Sequence, residues 1–210
     1  MVVASVFITL IILVNCSRAQ MIKQCFCNEV EPCAADYLSH MLPCADQCQN
    51  RAAALGANYA ALRECIASTQ SGVRGATECV WKSIPDSCSR GPPKMIPKRY
   101  TQGLKIAIMA EMNSIAQRSG ISTSEVGGLL SAGKKLVACM QNCMDKKSGG
   151  CMSSTSCQLQ LPNDTAFVQL MKQCAIKNGF DTISFRRLCQ CIASSGVTKL
   201  TSICPRVQIS

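Results

Sequence analysis

The sequence lacks the side chains and motifs on which most enzymes and metal sites depend. Its 210 residues include one histidine, one tryptophan and 4% aromatic residues in total. It contains no paired CxxC of the zinc-ribbon type, no GxSxG and no HExxH. His40 is followed by Met41, whereas the catalytic histidine of a secreted phospholipase is followed by an aspartate. The sequence therefore predicts a protein that is not an enzyme and needs no metal or cofactor.

Long apolar runs are equally scarce. The first fourteen residues, MVVASVFITLIILV, form the one long apolar run, and Ser17 and Ala19 follow it in a cleavage-site pattern. This combination predicts a secretory signal peptide over residues 1–19. A membrane span needs about 20 consecutive apolar residues, and no other stretch approaches that length. We therefore predict a secreted, extracellular protein without a membrane span.

Cysteine is the residue that the chain has in excess. Of its 17 cysteines, Cys16 falls within the predicted signal peptide, which leaves an even number in the mature chain. Because the secretory pathway is oxidising, an even set of cysteines in an exported chain predicts a disulfide framework. The predicted disulfide cysteines are Cys25, Cys27, Cys33, Cys44, Cys48, Cys65, Cys79, Cys88, Cys139, Cys143, Cys151, Cys157, Cys174, Cys189, Cys191 and Cys204.

These cysteines divide evenly along the chain. Eight lie in residues 20–93, none in residues 94–138 and eight in residues 139–210. This division predicts two eight-cysteine helical modules joined by cysteine-free linker helices. Since each module can pair its own cysteines, we expect the bridges to stay within each module.

Two stretches of similar sequence leave the origin of this division open. The chain reads CIASTQSGVRGATEC from Cys65 and CIASSGVTKLTSIC from Cys191. Either the two halves are diverged copies or helical segments rich in Ala, Ser and Cys resemble each other by coincidence. If the halves are copies, the cysteines of one set should pair in the same pattern as those of the other. The first set is Cys48, Cys65 and Cys79, and the second is Cys174, Cys191 and Cys204.

Helix signals are frequent, whereas no convincing strand alternation occurs. The predicted N-caps are Asn58, Ser122, Asp164 and Asp181, and the predicted helix-ending glycines are Gly56, Gly120 and Gly149. Ser122 with Glu125 forms the clearest capping box. Apolar spacing predicts two inward stripes, one of Leu104, Ile108, Met112 and Ile115 and one of Val126, Leu130, Gly133, Val137, Met140 and Met144. The predicted fold class is an all-α, disulfide-rich protein.

Two cysteine pairs have helical spacing. Cys44 and Cys48 are four residues apart, as are Cys139 and Cys143. Both sulfurs of such a pair project from one helix face, in a geometry that suits a bridge within the pair poorly. We therefore expect each pair to bridge to a neighbouring segment.

The mature chain is strongly basic. Removal of residues 1–19 takes out Arg18 and leaves 21 basic against 12 acidic residues. In an extracellular setting this excess favours sulfated polysaccharide or matrix as a partner and not nucleic acid, the alternative being a solvated surface without a partner. The cations that we expect to contribute are Lys94, Lys98, Arg99, Lys105, Lys134, Lys135, Lys146 and Lys147.

Asn163, in Asn163-Asp164-Thr165, is a predicted N-glycosylation site.

The cysteine framework resembles that of nematode secreted proteins with a chondroitin proteoglycan 4 domain. The similarity rests on QCFCNEVEPC, PCADQC, ACMQNC, QCAIKNGF and LCQC and on the cysteine-free linker with KRY. The resemblance implies a secreted core protein that carries chondroitin on serines of Ser-Gly dipeptides. The matching dipeptides here begin at Ser71, Ser119, Ser148 and Ser195, and most have basic neighbours.

Three classes of function follow from these observations. The first is a secreted structural protein associated with the extracellular matrix, as the resemblance implies. The second is an extracellular binding module for an apolar ligand such as a lipid, which ten methionines and few aromatics suggest. The third is a secreted effector that binds another protein.

Overall fold

The computed structural model describes residues 20–150 and 156–209. The predicted signal peptide (1–19) and Cys151 lie outside the described residues. The described part is helical, with one small sheet, which confirms the predicted all-α class. Its elements are β1 (Met21–Lys23), α1 (Cys27–Ser39), α2 (Met41–Gln47), α3 (Gln49–Ala53), α4 (Tyr59–Ala67), α5 (Gln70–Ser83), β2 (Met95–Pro97), α6 (Thr101–Arg118), α7 (Thr123–Lys147), α8 (Asp164–Lys177), α9 (Thr182–Ser194) and two 3-10 turns, Thr198–Leu200 and Cys204–Arg206.

The helix ends follow the predicted caps closely. The Ser122 hydroxyl accepts a hydrogen bond from the Glu125 N–H, and the Glu125 carboxylate accepts one from the Ser122 N–H, so the capping box is confirmed. The side chains of Asn58 and Asp181 also cap their helices as predicted. At α8 the cap is Asn163, one residue before the predicted Asp164. An amide oxygen caps a helix as well as a carboxylate does, so the sequence did not distinguish the two.

The small antiparallel sheet was not predicted. β1 pairs with β2 in the register Met21 with Pro97, Ile22 with Ile96 and Lys23 with Met95. Ile96 faces the interior and is 5% exposed. Strands of three residues are too short for alternation to be visible in the sequence.

The disulfides contradict the predicted pair of independent modules. Cys33 is disulfide-bonded, and seven bridges join the other described cysteines. Five of the seven join residues 20–93 to residues 139–210, so the prediction that bridges stay within each half is wrong. The helix predicted from Ser122 onward runs to Lys147, so residue 138 is not a boundary between the linker and a second module. The five crossing bridges are Cys25–Cys157, Cys44–Cys143, Cys48–Cys139, Cys65–Cys191 and Cys79–Cys174.

The two helical cysteine pairs bridge outward as predicted, and they bridge to each other. Cys44 joins Cys143 and Cys48 joins Cys139, with Cα–Cα distances of 5.6 and 6.0 Å. Because the earlier cysteine of the first pair bonds the later cysteine of the second pair, residues 44–48 run antiparallel to residues 139–143 of α7. We call these two bridges the staples.

The similar stretches also pair with each other. Cys65 bonds Cys191, and the Asn58 N–H donates to the Ser195 carbonyl at 2.6 Å. The duplication prediction is wrong for the remaining cysteines, because Cys79 bonds Cys174 whereas Cys204 bonds Cys189. Gly196 has φ +117°, and a Cβ there would lie 2.4 Å from the Gly56 carbonyl oxygen, so the close approach of the two segments requires glycine.

The predicted inward stripes hold only in part. On α7, Met144 is buried as predicted, but Leu130 and Val137 are 41% and 53% exposed. On α6, Leu104 and Ile115 are half-buried, whereas Ile108 and Met112 lie exposed. Periodicity identifies residues that share a helix face, but it does not tell which parts of that face a neighbour covers.

Among the described residues, no helix combines the length and the apolar character of a membrane span.

Candidate ligand groove

A groove of 900 Å³ lies where segments from residues 22–30, 98–104, 145–150 and 156–161 meet. Its walls come from β1, the start of α1, the residues that join β2 to α6, the end of α7 and residues 156–161. Most of its surface is apolar. The apolar side chains that line it are Ile22, Val30, Tyr100, Leu104, Leu159 and Leu161.

Gln158 joins three of these walls. Its backbone N–H donates to the Lys23 carbonyl at 2.9 Å, and its carbonyl accepts from the Cys25 N–H at 3.0 Å. Its side-chain amide accepts from the Arg99 N–H and donates to the Arg99 carbonyl, at 2.8 and 2.9 Å. The neighbouring bridge Cys25–Cys157 fixes the same contact covalently. The groove is therefore held open by residues that are 132 positions apart in the sequence.

Arg99 is anchored by an ion pair beside the groove. Its Nε donates to Asp164 Oδ1 at 2.7 Å, its Nη2 contacts the same oxygen, and its guanidinium lies 5.8 Å from the centre of the Phe167 ring. The remaining nitrogen, Nη1, is buried without an acceptor among the described residues. Asp164 also lies against the first turn of α6, where a Cβ on Gly103 would come within 2.1 Å of its Oδ2. The predicted glycan-binding residue Arg99 is thus already paired with a carboxylate.

Counted together with Arg99, the charged residues of the groove lining are balanced, with two cations and two carboxylates. Lys98 is half-buried, and its ammonium lies 5.8 Å from the centre of the Tyr100 ring. Glu29 accepts a hydrogen bond from the Phe26 N–H, and Asp145 lines the opposite wall. Burial first, and the negative charge of Asp145 second, raise the pKa of Tyr37 above its usual value. The lining thus has no large net charge and suits an apolar ligand with a small polar end.

The remaining predicted glycan-binding residues lie outside the groove lining. Lys94 and Lys105 lie near β2 and on α6, and they are exposed. Lys134, Lys135, Lys146 and Lys147 are exposed on α7, where 3.6 residues per turn place all but Lys147 on one third of the circumference. Within residues 20–150 and 156–209, none of these six lysines has a carboxylate within 4 Å.

The predicted modification sites differ in accessibility. Asn163 is exposed, while its side-chain oxygen caps α8 by accepting from the Ala166 N–H at 2.8 Å. N-glycosylation of Asn163 therefore stays a prediction. Of the Ser-Gly serines that the resemblance implies as chondroitin sites, Ser119, Ser148 and Ser195 are at most 9% exposed. Ser71 is exposed but lies in the first turn of α5. A transferase that acts on the folded chain would reach at most one of the four hydroxyls.

One cluster has the composition of a metal site. The potential ligand atoms of Cys27, Glu31 and Cys88 lie within 4.8 Å of one another. However, Cys27 and Cys88 are joined by a disulfide, so neither offers the thiolate that a metal ion needs. The cluster does not fit a metal ion in this oxidised form.

Comparison of the chain with protein-family models, with curated proteins and with solved structures finds no match in any of the three. The resemblance of the cysteine spacing to chondroitin proteoglycan 4 domains accordingly stays an expectation.

Proposed function

We propose that this chain is an extracellular binding module that holds an apolar ligand of the lipid class in the groove. The observation that carries the proposal is the 900 Å³ volume with its mostly apolar lining. Ligand pockets in proteins have volumes of about 300–1,000 Å³ and are lined mainly by apolar side chains with a few polar groups. The groove matches this description.

The energetics favour an apolar occupant. Ile22 and the three half-buried leucines of the groove contact water when it is empty, and each Å² of apolar surface that a ligand removes from water contributes about 25 cal/mol. The Cys25–Cys157 bridge and the Gln158 hydrogen bonds fix the walls before a ligand arrives, so less ordering opposes binding. Among the described residues, no methionine lines the groove, so the aliphatic side chains of the lining support the lipid class.

Binding of a fluorescent fatty acid to the secreted protein tests this proposal. Leu161→Arg places a charge in the apolar lining and is expected to weaken binding about tenfold or more. Leu38→Arg is the matched control, since Leu38 is a half-buried leucine in a separate pocket of 270 Å³. We expect saturable binding to the unchanged chain and to the Leu38 variant. Absence of saturable binding, or equal losses in the two variants, would contradict the proposal.

A matrix-associated structural role is the second candidate. The observation that favours it is the set of exposed lysines without carboxylate partners, in a chain with formal net charge +10. Such lysines attract sulfated polysaccharide through a charge interaction that salt screens over about 8 Å at physiological ionic strength. We expect retention on a heparin column at low salt and elution as salt rises, with Lys134→Gln/Lys135→Gln eluting earlier. Flow-through at low salt would contradict this role.

A further inference from the structure

The outer face of α6 carries four exposed large apolar side chains with Lys105 among them, and it has no partner in the described structure. Ile106, Ile108, Met109 and Met112 are 61%, 37%, 42% and 43% exposed. Their spacing places them in one continuous sector of the helix. The opposite side packs on α8, where Glu111 accepts a hydrogen bond from Lys172 at 2.8 Å. Four large apolar side chains on one exposed helix face mark an interaction surface, whereas scattered single ones would not.

The segment before α6 and the outer side of the small sheet add further exposed apolar side chains. Tyr100, which precedes α6, is 62% exposed, and its hydroxyl contacts Gln20 Oε1 at 3.0 Å, next to β1. On the outer side of the sheet, Met21 and Met95 are 48% and 60% exposed. We call this surface the docking face, and it consists of Met21, Met95, Tyr100, Ile106, Ile108, Met109 and Met112.

The stretch of chain that contains most of the docking face is basic. From Ser87 to Ala110 it has five cations and no acidic residue, and two of the five, Arg90 and Arg99, pair with Glu31 and Asp164. Lys94 and Lys105 are exposed among them. Glu111, the first acid beyond this stretch, is turned toward α8, and the hydrogen bond from Lys172 is the main cause that lowers its pKa. Residues 87–118 therefore contain no unpaired carboxylate that would repel an anionic partner.

We propose that the docking face binds the surface of an anionic phospholipid membrane. Apolar side chains beside lysines are the composition of interfacial helices, whose apolar face inserts at the level of the headgroups. Each lysine near an anionic leaflet adds about 1 kcal/mol of attraction. A second copy of the chain fits less well, because its lysines would face these lysines. Sulfated polysaccharide fits the lysines but leaves the isoleucines and methionines in water. This inference rests on the docking face, which shares only Tyr100 with the apolar lining of the groove, and not on ligand binding in the groove.

Co-sedimentation with lipid vesicles tests the inference. The secreted chain is mixed with vesicles of phosphatidylcholine alone or with added phosphatidylserine. Ile106→Glu/Met109→Glu places two carboxylates on the docking face, and Ile183→Glu is the control, since Ile183 is 62% exposed on α9. We expect the unchanged chain and the control to sediment with the anionic vesicles only. The double variant should bind about tenfold more weakly, a loss of about 1.4 kcal/mol.

Three results would overturn the inference. The first is no sedimentation of the unchanged chain with anionic vesicles. The second is an equal loss in the control and in the double variant. The third is binding that Lys94→Gln/Lys105→Gln abolishes while Ile106→Glu/Met109→Glu leaves it unchanged, because this would indicate a general polyanion site. Fatty-acid binding by the double variant, measured in parallel, reports separately on the groove and on the integrity of the fold.

Discussion

Replacing all four cysteines of the two staples with alanine is expected to lower the free energy of unfolding by about 6.5 kcal/mol, more than the sum of the two single-bridge losses. Either staple alone holds the chain around α2 against α7. With Cys44–Cys143 in place, Cys48–Cys139 closes a loop of only about 8 residues, which corresponds to about 2.5 kcal/mol in the chain-entropy model. Once the first staple is gone, the second closes a loop of about 40 residues through Cys25–Cys157 and contributes about 4 kcal/mol.

Urea unfolding of the oxidised protein, followed by circular dichroism, measures these losses. The series consists of the unchanged chain, Cys44→Ala/Cys143→Ala, Cys48→Ala/Cys139→Ala and the fourfold variant. The expected coupling between the two staples is about 1.5 kcal/mol. Additive losses would show that the two bridges constrain different parts of the unfolded chain.

Gly103→Ala is expected to destabilise the protein by about 2 kcal/mol, although alanine is the better helix former. A Cβ at this position would meet Asp164 Oδ2 at 2.1 Å, while Arg99 holds that carboxylate in place. The substitution would push Asp164 away and weaken the pairing of the guanidinium, whose Nη1 is already buried with no acceptor in the described part of the chain. Since Arg99 lines the groove, we also expect weaker binding of a fatty acid.

Two other glycines provide the control for this result. Gly127 and Gly128 lie in α7, and a Cβ on either meets no atom within 4 Å. Gly→Ala at each of these positions is expected to stabilise the protein by about 0.5–1 kcal/mol, the opposite sign. In a chain that already carries Asp164→Ala, Gly103→Ala should no longer destabilise. If Gly103→Ala behaves like the two controls, Asp164 is not held against α6.

The helix boundaries could be predicted because they depend on neighbouring residues. The Ser122 capping box needs only residues up to Glu125, and Gly120 ends α6 with φ +60°. Cys44 and Cys48 could be predicted to project from one helix face for the same reason. These features follow from chemistry within one or two helical turns.

The bridge pattern and the groove could not be predicted, because they depend on which distant segments meet. Eight cysteines in each half allow closed modules, and nothing in the local sequence favours Cys65–Cys191 over a partner in the same half. Gln158, which joins three walls of the groove, has no sequence signal. Ile108 and Met112 share the predicted stripe of α6 with half-buried residues but lie exposed, because periodicity alone does not show what covers a face.

Peptide mapping without reduction tests most directly whether the two halves form one cross-linked unit. We expect digests to contain the crossing bridges Cys25–Cys157, Cys65–Cys191 and Cys79–Cys174 together with the two staples. Cys189–Cys204 should appear as a bridge within one half. A map in which every bridge joins cysteines of the same half, residues 20–93 or residues 139–210, would contradict the fold and the groove that depends on it.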